Sequence, residues 1–524
     1  MFDRVDTFKS RRHRGLVWVI LLGLLIALSP IAFVPTLPLL DYPGHLARLY
    51  LLEHAAQSPL LSEYYQANWQ FLPNLAFELI SQPIAQHLGI DAAGRVFLGL
   101  VLTVQLAGVV ALNSALHGRL SVTVLLAFPL LYGRLFTYGF LSFNFGLGLT
   151  LCCLAAWIRW RDSSLVVRTA AFSLAGCLLL ISHLFAFGLY GLAVTCLETC
   201  RAFENRRHSP AIFLGLAGGL AQLVMPTALF LALSPTASGL GLTWASDRFL
   251  HVAAWAAPFE FYAPALQLTT VVLLALLVAA AYVQRVARIP PGMLMTVITL
   301  AALTSFGPDQ AASGSILLPR FAVAAAFMVV AALDISGLAP AVERRLATVL
   351  LALFALYMAF IVRTWWSYQP TFQSLHASFE SLDRGAKVKM VIEHCGRLQA
   401  LLEPPLQHAV ETAIREREVF VPSMVVEARQ QPITYRPKYA SFAKRNSNPV
   451  AQCGTLLAPG GEGPENRKAA LREDLATDFD YLYLVAHGLS DVLPPKGFQL
   501  IVDGGRFRLY KRQQVPASNA GSSR

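Results

Sequence analysis

Three groups that suit proton transfer and anion binding fall within eight residues of this chain: Asp41, His45 and Arg48, in Leu40-Asp41-Tyr42-Pro43-Gly44-His45-Leu46-Ala47-Arg48. Pro43 and Gly44 end whatever helix precedes them, and Leu46 to Ala56 reads as the start of a new one. His45 and Arg48 are three apart and share a face of that helix. A carboxylate in this setting has two readings. It caps the new helix by accepting a backbone N–H, or it takes a proton from a reacting hydroxyl. The local sequence leaves both open.

Further candidates lie far along the chain. Arg134 and Arg320 fall at ends of apolar segments. A guanidinium there either grips a phosphate through its fork or reaches out to lipid head groups. His183 follows Ser182 in the middle of an apolar stretch. It lines a site, or it is a hydrogen-bonded core histidine. Asp247, His251 and Glu260 share one polar loop, 235–264. The seven cysteines form no zinc pattern. Cys152, Cys153, Cys177, Cys196 and Cys200 sit in apolar runs and read as inert packing residues. Cys395 and Cys453 lie in the polar C-terminal part, where a disulfide is expected if that part is outside the cell.

The elements that carry these residues are membrane helices. The 524 residues are 55% hydrophobic and 14% charged, where a soluble protein would carry about a quarter charged residues. Several apolar runs reach the roughly 20 residues needed to cross a bilayer, and lipid-facing backbone must then be helical. The net charge of +11 is explained by Lys and Arg in cytoplasmic loops, so no nucleic-acid partner is implied.

Residues 1–14 are basic and 16–34 apolar, with Pro30 disfavouring signal cleavage. This predicts an uncleaved first helix with a cytoplasmic N-terminus. The first outer loop is then 35–94, its pieces read as helices lying on the membrane surface. Spans are predicted at about 95–112, 121–133 and 140–159. The apolar stretch 169–200 is basic at both flanks, so it must break into two helices with an outward turn near His183. Further spans follow at about 210–233, 265–284, 291–306, 318–337 and 346–363. The total is about 11 transmembrane helices. Domain 1–363 is thus the membrane domain, and 364–524 a small extracytoplasmic α/β soluble domain. In the latter, Tyr481–Val485 reads as a strand and Phe498–Val502, Gly504-Gly505, Phe507–Tyr510 as a hairpin. The tail after Val515 is Ser/Ala/Gly-rich and expected to be disordered.

With Asp41 just after the first span, this arrangement resembles the GT-C superfamily of integral membrane glycosyltransferases. The resemblance implies a GT-C-like polytopic α-helical fold in a bacterial-type inner membrane, with Asp41 as the catalytic acid of the first outer loop. It implies a polyprenyl-phosphate sugar as lipid-linked donor, with membrane lipid around it. The substrate-binding candidates are then His45, Arg48, Arg134, His183, Asp247, His251, Glu260 and Arg320. Many members carry a second acidic motif in the next outer loop, but here that loop, Leu130 to Phe143, has Arg134 as its only charged group. The cofactor is therefore open, a divalent metal being one candidate, and the metal ligands are unassigned.

Two other function classes compete. A multi-span transporter or flippase would carry charges at mid-membrane or broken helices paired across a pseudo-symmetry. The charges here gather at span ends instead. A non-catalytic scaffold would tolerate loss of Asp41. The sugar, the acceptor and the oligomeric state are not legible in the sequence.

Overall fold

The structure, a computed structural model, describes residues 2–161, 163–204, 216–311, 314–335, 338–394, 405–424, 426, 429–452, 475–485 and 495–513. The expected pairing of Cys395 with Cys453 and the tail after Val515 lie outside the described residues. Among them, eight helices are long and apolar enough to cross a membrane: Gly15–Phe33, Ile90–His117, Leu141–Arg159, Leu165–Ser182, Leu184–Glu204, Leu216–Leu233, Pro264–Val283 and Pro340–Ser381. Three shorter apolar helical segments are Val122–Thr137, Pro291–Phe306 and Leu317–Ala332. The protein is an integral membrane protein. Helix boundaries differ from the expected ones where no breaker intervenes. Ile90–His117 runs beyond 95–112 and stops only where Gly118 takes a left-handed turn, φ 64°. Leu317–Ala332 ends before 337, because Leu333 turns extended.

The chain forms two compact units. The first comprises Met1–Leu37, Trp69–Trp366 and Arg429–Pro432; the second Pro38–Asn68, Ser367–Ala428 and Ile433–Arg524. In the first, helices Ile90–His117 and Leu141–Arg159 cross at glycines. A Cβ on Gly148 would stand 2.6 Å from Gln105 N, and one on Gly108 2.6 Å from Gly148 O. Close approach of backbones is what holds helices together in lipid, where apolar faces gain nothing from hiding. A buried bond from Gln105 Nε2 to Asn144 Oδ1, 3.1 Å, ties the same pair. Arg95 donates to Val34 O at 2.9 Å and also to Ile31 O, meeting carbonyls that end the first helix.

The break expected near His183 is present: one helix is Leu165–Ser182 and the next Leu184–Glu204. His183 is extended, φ −166° and ψ 126°. The freed backbone groups are satisfied by a neighbouring segment. Leu184 N donates to Pro73 O and Leu75 N to Ile181 O, both at 3.0 Å.

In the second unit, a five-stranded sheet runs in the order Phe498–Asp503, Arg508–Arg512, Tyr481–Val485, Val388–His394, Val450–Gln452. Among the first three strands each neighbouring pair is antiparallel. Val388–His394 lies parallel to both of its neighbours. The expected strand and hairpin are therefore both found.

The second unit is not built from the C-terminal part alone. Pro38–Asn68 belongs to it. Tyr65–Ala67 pairs antiparallel with Ile433–Tyr435, and Leu51, Leu61, Tyr64 and Tyr65 enter a core with Phe372, Leu375 and Phe420. The sequence reading lays this part of the outer loop on the membrane surface. In the structure its apolar faces find protein partners, and burial with Phe420 and Phe372 removes them from water.

Candidate active site

In the second unit the helix Tyr42–His54 starts with Asp41 at its N-cap position, but the Asp41 side chain makes no capping hydrogen bond. The capping reading of the carboxylate is thereby set aside. Asp41 Oδ1 instead lies 3.6 Å from His408 Nε2. His408 Nδ1 lies 2.6 Å from Glu411 Oε1, and that carboxylate is almost fully buried, at 1% exposure. An ionised Glu411 accepts from the Nδ1–H of His408, which orients the ring so that Nε2 faces Asp41. Gln407 Nε2 lies 3.5 Å from the same Nε2. Asp41 and His408 thus face each other across 3.6 Å, with His408 held from its other ring nitrogen by Glu411.

Gly44 makes room for it. A Cβ at that position would run into Glu411 Oε2. One turn on, Arg48 Nη2 donates to His45 Nδ1 at 2.7 Å, and both side chains are buried. The shared helix face expected from their spacing is real, and the two meet each other on it.

In the first unit, the loop Leu130–Phe143 organises the remaining candidates. Gly133 passes so close to Ala257 and Pro258 that a Cβ would stand 2.7 Å from Pro258 O. Arg134 N donates to Ala257 O at 2.9 Å. This brings Arg134 Nε to 4.0 Å from Glu260 Oε2, with both residues only 3% exposed. Arg134 does not snorkel. Glu260 also accepts from Thr137 Oγ1 at 3.2 Å and Tyr262 N at 2.6 Å. Burial pushes its carboxyl above the ordinary range, while Arg134 and these two donors pull it back.

The same loop supplies Phe140 and Phe143, whose rings lie 4.8 and 5.4 Å from the Arg320 guanidinium; Phe185 lies at 6.0 Å. Arg320 Nη1 is 2.9 Å from His183 Nε2. Asp309, in the loop before the helix Leu317–Ala332, feels both His251 and Arg320. Burial raises its carboxyl, and His251, a backbone N–H at Leu318 and the Arg320 guanidinium lower it. His251 Nδ1 contacts Thr304 O at 3.2 Å. Asp247 is a turn residue: its Oδ1 accepts from Phe249 N at 2.9 Å, at the start of a short helix.

The expected residues thus form three groups: Asp41 with the pair His45 and Arg48 on one helix; Arg134 with Glu260; and His183 with Arg320, beside Asp309 and His251. Asp41 belongs to the second unit and Arg320 to the first. Sequence reasoning missed His408, Glu411 and Asp309. A signal existed for the first two, since His408 and Glu411 are spaced i, i+3. Nothing in the sequence joins them to Asp41. Among the described residues no group of three or more His, Cys, Asp or Glu is arranged to hold a metal ion.

No family model matches the chain, and no curated protein matches it. Among solved structures it is similar to ArnT from Cupriavidus metallidurans bound to undecaprenyl phosphate. That similarity has 11% identity over 97% of this chain and 99% of that one, with a TM-score of 0.47. It is also similar to ArnT from the same organism in the apo state, with 12% identity over 95% and 97% of the two chains and a TM-score of 0.49.

Proposed function

We propose that this protein is a membrane glycosyltransferase of the GT-C type, moving a sugar from a polyprenyl-phosphate donor to an acceptor hydroxyl on the extracytoplasmic side. The observation that carries the reading is the Asp41–His408 pair. It stands at the start of the first helix after a membrane-length apolar one.

In the reaction, the acceptor oxygen attacks the anomeric carbon of the donor sugar. Its O–H bond breaks, and the proton passes to Asp41 and is shared with His408. The bond from the anomeric carbon to the phosphate oxygen breaks, and its electron pair leaves with the polyprenyl phosphate. An unshifted Asp, near pKa 3.9, is a weak base alone. An imidazole behind it with an available lone pair makes it a better one, because the proton need not stay on the carboxylate. Arg320 is the proposed partner of the donor phosphate, through bidentate N–H contacts. Among its neighbours are rings and the acceptor nitrogen of His183.

The test is release of polyprenyl phosphate from short-chain polyprenyl-phosphate hexoses and pentoses by the purified protein. Asp41→Asn should lower the rate on the order of a hundredfold or more, the loss of a general base, with the fold intact. An Asp41→Asn protein as active as the parent on a donor that the parent turns over would end the assignment. So would a parent that moves these lipids across a vesicle bilayer and never cleaves them.

A further inference from the structure

A cavity of about 240 Å³ lies among the ends of four apolar helices of the first unit, at Leu116, Ile158, Leu197 and Pro291. It is smaller than the roughly 300–1,000 Å³ that house a drug-sized ligand. That is room for a head group, not for a whole lipid. The helix ends here carry the basic residues that the positive-inside bias assigns to the cytoplasm. Four charged side chains line it: Arg161, Arg201, Glu198 and Glu204. The charges balance, two of each sign, so the chemistry does not favour a plain anion.

Glu198 is the fixed part. Its Oε1 accepts from the buried indole of Trp157, Nε1 at 2.8 Å. The Trp157 ring is in turn covered by Arg168, whose Cζ lies 4.3 Å from its centroid. Glu198 Oε2 has Arg201 Nη1 at 3.9 Å, too long for a hydrogen bond. One carboxylate oxygen is thus held in place, and the other faces the cavity with an acceptor position open to a donor. Gly292 lets the next helix close the wall, since a Cβ there would stand 2.9 Å from Leu197 Cδ2. Arg161 uses Nε on Ile158 O at 2.9 Å, which orients its guanidinium at the rim.

We propose that this cavity seats the phosphoethanolamine head group of a zwitterionic membrane lipid. The ammonium donates to Glu198 Oε2 and Glu204, and the phosphate meets Arg161 and Arg201. The apolar walls continue into the helix faces along which acyl chains lie. A quaternary choline has no N–H for Glu198, and a glycerol head group brings no cation at all. The site shares no residue with the proposed transfer reaction, and it would persist if that reaction were disproved.

The experiment is lipid binding by native mass spectrometry on the delipidated full-length protein in detergent. Phosphatidylethanolamine, phosphatidylcholine and phosphatidylglycerol are added at equal concentration, with thermal unfolding in parallel. The parent should retain phosphatidylethanolamine in preference to phosphatidylcholine by about tenfold, one hydrogen bond to a charged group. Glu198→Gln keeps the acceptor for Trp157 and should abolish the preference. Glu204→Gln, at the open edge, is the variant to read if Glu198→Gln does not fold, and should reduce it. Equal retention of the three lipids by the parent overturns the proposal, as does a preference unchanged in whichever of these two variants is read. Soluble phosphoethanolamine is the last arm. If it raises the melting temperature as much as the lipid does at the same concentration, the occupant is a small phosphate ester and the lipid assignment falls.

Discussion

Arg320 and His183 meet through Nη1 and Nε2 at 2.9 Å, at the point where one apolar helix stops and the next begins. The other ring nitrogen, Nδ1, faces the N–H of Phe185 at 3.0 Å. Both nitrogens of His183 therefore face donors; a neutral ring has one lone pair to meet them, and a protonated ring would set an N–H against each. The guanidinium is steered by an imidazole that has no room to become a competing cation. His183→Leu removes the ring's acceptor and leaves an apolar side chain in its place. It should lower stability by about 1–3 kcal/mol, the cost of leaving buried donors unmet, measured by thermal unfolding in detergent.

Arg320→Lys separates charge from geometry. The lysine keeps a cation near Phe140 and Phe143 but lacks the fork. In the proposed reaction it should raise the KM for the polyprenyl-phosphate donor several-fold more than the KM for the acceptor. Equal effects on both would remove Arg320 from the donor phosphate.

His408 gives Asp41 its proton partner, and Glu411 orients His408. Glu411→Gln still accepts from Nδ1 but stabilises the protonated ring less. Its rate should fall by less than that of Asp41→Asn, and the acid limb of the pH–rate profile should move. A profile identical to the parent would leave Glu411 a packing residue.

Glu260 predicts a pH dependence of stability. Burial raises its carboxyl above the ordinary value in the folded protein, so the folded state binds this proton more tightly than the unfolded one. The contribution is fully present below the ordinary carboxyl pKa. It is lost as pH rises through the raised folded value. Glu260→Gln cannot ionise, so its melting temperature should decline less between these two limits than the parent's does. Parallel curves for parent and variant would count against it.

The broken stretch also makes the proposed topology testable. With the turn at His183 outward, a cysteine placed at Phe185 should react with a membrane-impermeant thiol reagent added outside. One placed at Glu204 should react only after the membrane is opened. Labelling of position 204 from outside would overturn the orientation.

Tight crossing should be the least forgiving feature of the first unit. Gly148→Ala puts a Cβ against Gln105 backbone, which has no flexible end to swing away. A loss of about 1–3 kcal/mol is expected, typical of overpacking, read as a lower melting temperature in detergent.

The sequence by itself determined the membrane class, because crossing a bilayer demands long apolar runs that nothing else in a chain imitates. It determined the break at His183, since charge at both ends of one apolar stretch leaves one helix no consistent orientation. It determined the shared face of His45 and Arg48, a purely local matter of helical period. Pairings between distant segments carry no such local mark. Tertiary structure alone decided that Asp41 faces His408 and Glu411, that Arg134 is buried against Glu260 and not extended to lipid, and that Pro38–Asn68 joins the C-terminal unit. Each depends on which apolar face meets which partner, as Tyr65 meets Phe420, and many partners of similar hydrophobicity would satisfy the same sequence pattern.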